Sequence, residues 1–189
     1  MNDKEIYILL THTGSFLSKL IKRYTKEPYS HVSIAFDINL NKVYSFGRKR
    51  PRNPLIAGFI EEDVRSGTYS IFTETTYGLY SLSIDDLQYH KLKVTMIEFE
   101  KIKQKSSYNL VGLIGVYLGY PINRTYSYFC SQFVACAFEK SGISIFDKPF
   151  GLVTPKDFRT CGSLNLVKSG KLLYFNSEED PLEDLMGIS

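Results

Sequence analysis

The stretch SHVSIAFDINLNKVYSFG, residues 30 to 47, constrains the fold of this chain more than any other. Val32, Ile34 and Phe36 alternate with His31, Ser33 and Ala35, the period-two pattern of a strand with one apolar face. DINLNK, rich in Asp and Asn, reads as a turn, and KVYSFG reads as the returning strand. A hairpin over residues 31 to 47 is expected, so the chain should hold antiparallel sheet, with His31 at the hairpin's open end.

The flanking segments predict a mixture of strands and helices. EIYILLT is a short buried strand ended by Thr13-Gly14. In SFLSKLIKRYTK the apolar residues Phe16, Leu17, Leu20, Ile21 and Tyr24 have helical spacing, with Ser15 as cap, and Pro28 ends the helix. NPLIAGFIEEDVRSG is a connector of no readable form. TYSIFTETTYG and KVTMIEFE read as strands, and SIDDLQYHKL between them as a helical turn capped by Ser83. SSYNLVGLIGVYLGY has helical spacing with a cap at Ser106 or Ser107. FCSQFVACAFEKSGI predicts a helix that begins at or just before Cys130, shows Phe133, Val134, Ala137 and Phe138 on one face, and stops at Gly142. The expected class is α+β.

A length of 189 residues with 43% apolar side chains suits a single domain over residues 1–189, with an acidic C-terminal tail, about 177–189, outside the core. The net charge of +3 does not point to nucleic acid. Asp3, Lys4 and Glu5 precede an apolar run of only Ile6 to Leu10, unlike a secretory signal, and LVGLIGVYLGY is too short to span a bilayer, so a cytoplasmic location is expected. Cys130, Cys136 and Cys161 are then free thiols. Their spacings of 6 and 25 residues lack the paired pattern of a zinc site, and neither metal nor cofactor is expected. The basic run GRKRPR, Gly47 to Arg52, reads as a solvated loop that also suits weak contact with an anionic membrane surface. Oligomeric state is not legible.

The chemistry converges on Cys130 and His31. A thiol in the first turn of a helix feels the partial positive charge of unpaired amides, which favours thiolate. Cys136, about 120° further round the helix at 3.6 residues per turn, falls within the apolar segment and reads as a small core residue. Cys161, in RTCGS, has no visible activator. A cysteine nucleophile needs a base, and His31, at the start of a strand, is best placed to reach a helix packed on the sheet.

YFCSQFVACAFEKSGI resembles the catalytic helix of NlpC-type papain-like hydrolases, in which the nucleophilic cysteine opens a Cys-Ser-x-Phe-Val helix. LLTHTGSFLSKLIKRYTKEPYSHVSIAFD resembles the first strand, helix and histidine strand of their circularly permuted, YiiX-like branch, in which histidine precedes cysteine. VTPKDF, Val153 to Phe158, is similar to the Thr-Pro-x-Asp segment that follows the catalytic helix. The matches cover both ends of the chain and leave residues 48 to 105 unexplained.

The resemblance implies a permuted papain-like fold, a central and mainly antiparallel sheet with helices packed on it. It also implies a thiol hydrolase or acyltransferase acting through a thioester on a small-molecule, peptide or lipid substrate. Cys130 would be the nucleophile and His31 the base. The third residue, often a glutamate on the strand after the histidine, aligns to Ser45, whose hydroxyl brings no negative charge. Glu61 or Glu62, in the unread connector, is the other source of a carboxylate. Tyr126 and Tyr128 are candidates for a substrate wall, and His12 for a residue lining the cleft. The alternative is a weak or inactive binding module that holds a peptide or lipid in the same cleft, supported mainly by Ser45 in the third position.

Overall fold

The computed structural model describes residues 3–15, 26–50, 53–109, 112, 115–116 and 118–175. The helix expected over residues 15–26 and the acidic tail therefore fall, almost wholly in the first case, outside the described residues. Strand β1 (Lys4–His12) is buried from Ile6 onwards because it lies inside the sheet, flanked on both sides. With β2 (His31–Ala35), β3 (Val43–Arg50), β4 (Asn53–Glu62), β5 (Thr76–Ile84) and β8 (Asn165–Lys171) it forms one six-stranded sheet in the order β4-β3-β2-β1-β5-β8. Every neighbouring pair in it is antiparallel. The chain is thus α+β with an antiparallel main sheet, and the expected hairpin is β2 and β3.

Alternation along β1 divides the core between the two faces of the sheet. Ile6, Ile8 and Leu10 join Val32, Ile34, Phe46 and Phe59 on the face that carries the two longer helices, α2 (Asp86–Lys101) and α3 (Cys130–Ser141). Phe99 of α2 and Phe133 of α3 meet edge to face at 4.9 Å between ring centres, and Phe46 lies 5.3 Å from Phe133. Each such fully buried ring contributes about 1.5–3 kcal/mol through the apolar area removed from water. Tyr7, Leu9, Ala35 and Val43 face the other way, onto Leu172 and Tyr69 of the short helix α1 (Thr68–Ile71).

Several elements depart from their sequence reading. KVTMIEFE is the second half of helix α2 rather than a strand: Leu92, Met96 and Phe99 recur at i, i+4 and i+7 and are buried, a helical stripe within a segment also compatible with alternation. The helix starts from Asp85, not Ser83; the Asp85 carboxylate accepts the Gln88 N–H while the Gln88 side chain accepts the Asp85 N–H. TYSIFTETTYG is divided between α1 and the start of β5. The unread connector contains β4, an edge strand paired only with β3 in the main sheet, a position in which proline is tolerated. The basic run continues β3 through Arg50 and is not a loop there.

Ser106 and Ser107 do not cap the following helical segment: Ser107 and Tyr108 form β6, paired in parallel with β7 (Ser127–Tyr128), and the Asn109 side chain accepts the Gly112 N–H. The cysteine helix begins at Cys130 and ends at Gly142, whose φ of 75° is the left-handed conformation that favours glycine. VTPKDF becomes helix α4 (Pro155–Thr160), capped reciprocally by Thr154 and Asp157. Among the described residues no helix is long and apolar enough to cross a membrane.

Candidate active site

His31 opens β2, and by alternation its side chain shares the face of Ser33 and Ala35, away from α3. It nevertheless meets Cys130, because β2 and β3 pair only at Ile34↔Tyr44 and Ala35↔Val43 and part towards the His31 end. At this opened edge the Val32 N–H donates to the Cys130 sulfur, and so does the Ser131 N–H at the start of α3. The first turn of the cysteine helix thus supplies a ligand to a strand donor that a closed ladder would have used.

The start of α3 is held on both sides. Gln132, fully buried, accepts the Phe129 N–H at 3.3 Å and an Asn109 side-chain N–H at 3.1 Å, and donates to Asn123 at 2.9 Å. Ser131 donates to the Val153 carbonyl at 2.7 Å, which docks the Thr-Pro segment against the helix. Gln132 and Ser131 are both hydrogen-bonded, so the helix end cannot rotate without orphaning one of them.

His31 Nε2 lies 2.8 Å from Glu62 Oε1. That leaves Nδ1 as the nitrogen for the bond between the ring and the Cys130 thiol. The carboxylate of Glu62 accepts three further bonds: Ser45 Oγ donates to Oε1 at 2.7 Å, Ser33 Oγ to Oε2 at 2.8 Å and Tyr69 Oη to Oε2 at 3.0 Å. Four donors fill about four lone-pair positions, so both the orientation and the charge of the carboxylate are set. Gly47 is part of this fit, since a Cβ there would come within 3.0 Å of Ser45 Oγ and 3.1 Å of Glu62 Oε1.

The expectation that Ser45 orients the imidazole is corrected. Ser45 sits one step back and donates to the carboxylate that holds the ring. The β3–β4 register explains this: Val43 lies opposite Glu62 and Ser45 opposite Ile60, so the longer Glu62 side chain reaches the ring. Of the two glutamates left open, Glu62 is the one on the histidine.

The electrostatics follow from these contacts. Burial opposes a charged His31, but the Glu62 carboxylate and the bond to Cys130 outweigh it and hold the ring at about 10. Burial likewise opposes ionisation of Glu62; the His31 charge and the bonds from His31, Ser45 and Ser33 bring it down to about 2. For Cys130 the same penalty of burial is exceeded by the bond and charge of His31 and the two backbone N–H groups, leaving the thiol below its ordinary value. The arrangement favours thiolate beside imidazolium.

Tyr108, unrecognised in the sequence, completes the surroundings of the sulfur. Its hydroxyl bonds both the Cys130 side chain and the Cys130 backbone N–H, and burial pushes its own ionisation well above the usual tyrosine range. His31 and Tyr108 line a cavity of about 360 Å³, together with Arg48, Glu62 and Tyr69. The tyrosines expected at this wall are elsewhere. Tyr128 packs its ring against Phe46 and Phe99, at 5.1 and 5.5 Å, and hydrogen-bonds Cys136. Tyr126 is 44% exposed with a φ of 57°, away from the lining. His12 is buried at the end of β1, with Nδ1 3.4 Å from Ser30 Oγ, and does not line the cavity.

The inward polar residues of the hairpin, His31, Ser33 and Ser45 on one face, were the signal that a buried charge lies opposite them. Among the described residues no group of three His, Cys, Asp or Glu side chains could hold a metal ion. Comparison of the chain with protein-family models, curated proteins and solved structures finds no match.

Proposed function

We propose that this chain is a cysteine hydrolase or acyltransferase of the permuted papain-like kind, acting on an amide or ester through a thioester. The observation that carries the reading is the continuous chain from the Glu62 carboxylate through the His31 ring to a buried thiol at a helix N-terminus. The order of His31 before Cys130 supports the permuted branch of the resemblance.

In this mechanism the Cys130 thiolate attacks the substrate carbonyl carbon, and the oxyanion forms beside the Cys130 N–H and the Tyr108 hydroxyl. Imidazolium His31 gives its proton to the leaving group as the tetrahedral species collapses to a thioester. Neutral His31 then takes a proton from water, or from an acceptor alcohol or amine, as that nucleophile attacks the thioester. The second tetrahedral species releases acid, or transferred acyl product, and returns the thiolate beside imidazolium. Glu62 keeps the ring in place and stabilises its charge throughout, as the third member of such triads does. The cavity admits a small molecule, a peptide end or part of a lipid. The binding-module alternative loses its main support, because a carboxylate rather than Ser45 holds the ring.

Alkylation by iodoacetamide across pH 5 to 9, with each cysteine followed by mass spectrometry, tests the reading. Cys130 should label fastest of the three cysteines at pH 6. If Cys130 labels no faster than Cys161 at pH 6, no activated pair exists and the binding module becomes the better account.

A further inference from the structure

The cavity contains a cation that the relay does not use. Arg48, on β3, lines it alongside His31 and Tyr108. Its guanidinium is half-buried, fixed by a 2.6 Å bond from Nη2 to Ser15 Oγ, and lies 5.7 Å from the centre of the Phe72 ring. Tyr108 and Tyr69, one bonded to Cys130 and the other to Glu62, are close enough to feel its charge. A guanidinium stays protonated in proteins, so this wall of the cavity, which it shares with His31 and Tyr108, carries a permanent positive charge.

Of the other charged residues on the lining, Lys49 donates to the Lys103 and Ser106 carbonyls and Glu61 is exposed to solvent. Glu62 accepts four bonds and is balanced by His31. Asp63, at the outer rim, accepts the Arg65 N–H and the Ser66 hydroxyl. The hydroxyl-bearing residues Thr13, Ser30 and Thr68 are also on the lining. A planar fork of N–H donors with hydroxyls around it is the chemistry that recognises a carboxylate or phosphate.

We propose that Arg48 binds an anionic group of the substrate, a carboxylate or a phosphate, and so selects acyl compounds that carry one near the scissile carbonyl. The proposal deepens the thiol-hydrolase reading and rests on it.

Iodoacetate and iodoacetamide test it, because they share a leaving group and differ chiefly in charge. The His31 imidazolium favours the anionic reagent in any variant, so the readout is the change in the iodoacetate to iodoacetamide rate ratio at Cys130. In R48Q this ratio should fall by at least about tenfold, or about 1.4 kcal/mol, and R48K, which keeps the charge, should restore most of it. A smaller fall in R48Q, or a fall of equal size in R48K, overturns the proposal. If wild-type Cys130 labels with neither reagent faster than Cys161, it is the hydrolase reading that has failed, and the proposal falls with it. Inorganic phosphate and succinate, added as protectants against iodoacetamide, separate the two sources. Whichever slows labelling of the wild type more than of R48Q identifies the anion.

Discussion

Cys130 and Cys136 stand six residues apart on one helix and are equally hidden from solvent, at 4% and 5% exposure. Burial raises the pKa of both thiols, yet the net shifts are opposite. At Cys130 the His31 ring and the N–H groups of Val32 and Ser131 reverse the effect of burial. At Cys136 the Tyr128 hydroxyl and the charge of Lys140 do not, and the thiol stays above its ordinary value. The difference teaches that ionisation of a thiol here depends on donors gathered at the helix end, where a strand edge opens, rather than on access to water. In mid-helix the backbone N–H groups are already bonded along the helix and have nothing to give a sulfur.

Removing the imidazole should erase the contrast most completely. An ordinary thiol with a pKa of about 8.5 is only ~0.3% thiolate at pH 6. His31→Ala should therefore slow iodoacetamide labelling of Cys130 at pH 6 by more than about 10². Cys136 should not change, and circular dichroism checks that the fold persists. An unaltered Cys130 rate would mean that the helix end alone sets the thiol.

Tyr108→Phe sharpens the comparison by separating thiolate formation from turnover. Removing one oxyanion donor typically costs about 10² in kcat. Hydrolysis of p-nitrophenyl acetate should fall by roughly that factor, while alkylation, which forms no oxyanion, changes much less. Equal losses in both assays would make Tyr108 a support for the sulfur only.

Glu62→Gln should act through the ring. The His31 titration, followed by NMR, should move down from about 10 towards the ordinary 6.5, and Cys130 labelling at pH 6 should slow roughly tenfold. The same shifts predict how pH affects stability. Glu62 sits at about 2 against its ordinary 4.5, so its contribution is full above 4.5 and is lost as pH falls through about 2. His31 sits at about 10 against 6.5, so its contribution is full below 6.5 and is lost as pH rises through about 10. In the wild type the pair stabilises the fold most between about 4.5 and 6.5, and Glu62→Gln should flatten the melting temperature across both flanks.

The smallest effect belongs to Ser45→Ala, which removes one of four donors from Glu62. Loss of a hydrogen bond to a buried charged group costs about 1.5–3 kcal/mol of stability. Denaturant unfolding should show a loss at the low end of this range, with Cys130 labelling within a few-fold of wild type. A collapse of labelling comparable to His31→Ala would place Ser45 on the ring after all.

Much of the site was legible because its parts are local. The alternation of HVSIAF exposed the hairpin, and Gly142 with the apolar face of FCSQFVACAF exposed the helix that begins at Cys130. Glu62 was not legible as the partner of His31. It ends a Gly- and Pro-bearing edge strand with weak alternation, and the choice between Glu61 and Glu62 depends on which residue falls opposite Val43. Tyr108 was hidden for a similar reason. Nothing near it in the chain announces Cys130, 22 residues away, and only the two-residue pairing of Ser107 and Tyr108 with Ser127 and Tyr128 brings them together. Tyr126 and Tyr128, chosen for being next to the cysteine, point elsewhere because adjacency along the chain does not set direction.

By itself the sequence determined what short-range physics can decide: alternating strands, a turn of Asp and Asn, a thiol at a helix start and a histidine at a strand start. Those follow from backbone periodicity and capping, which act over a few residues. The tertiary structure alone decided which carboxylate faces the ring, which tyrosine meets the sulfur and where β2 and β3 part to admit the thiol. These depend on strand register, in which a shift of one residue turns every side chain to the opposite face, and register is set by packing across the whole sheet.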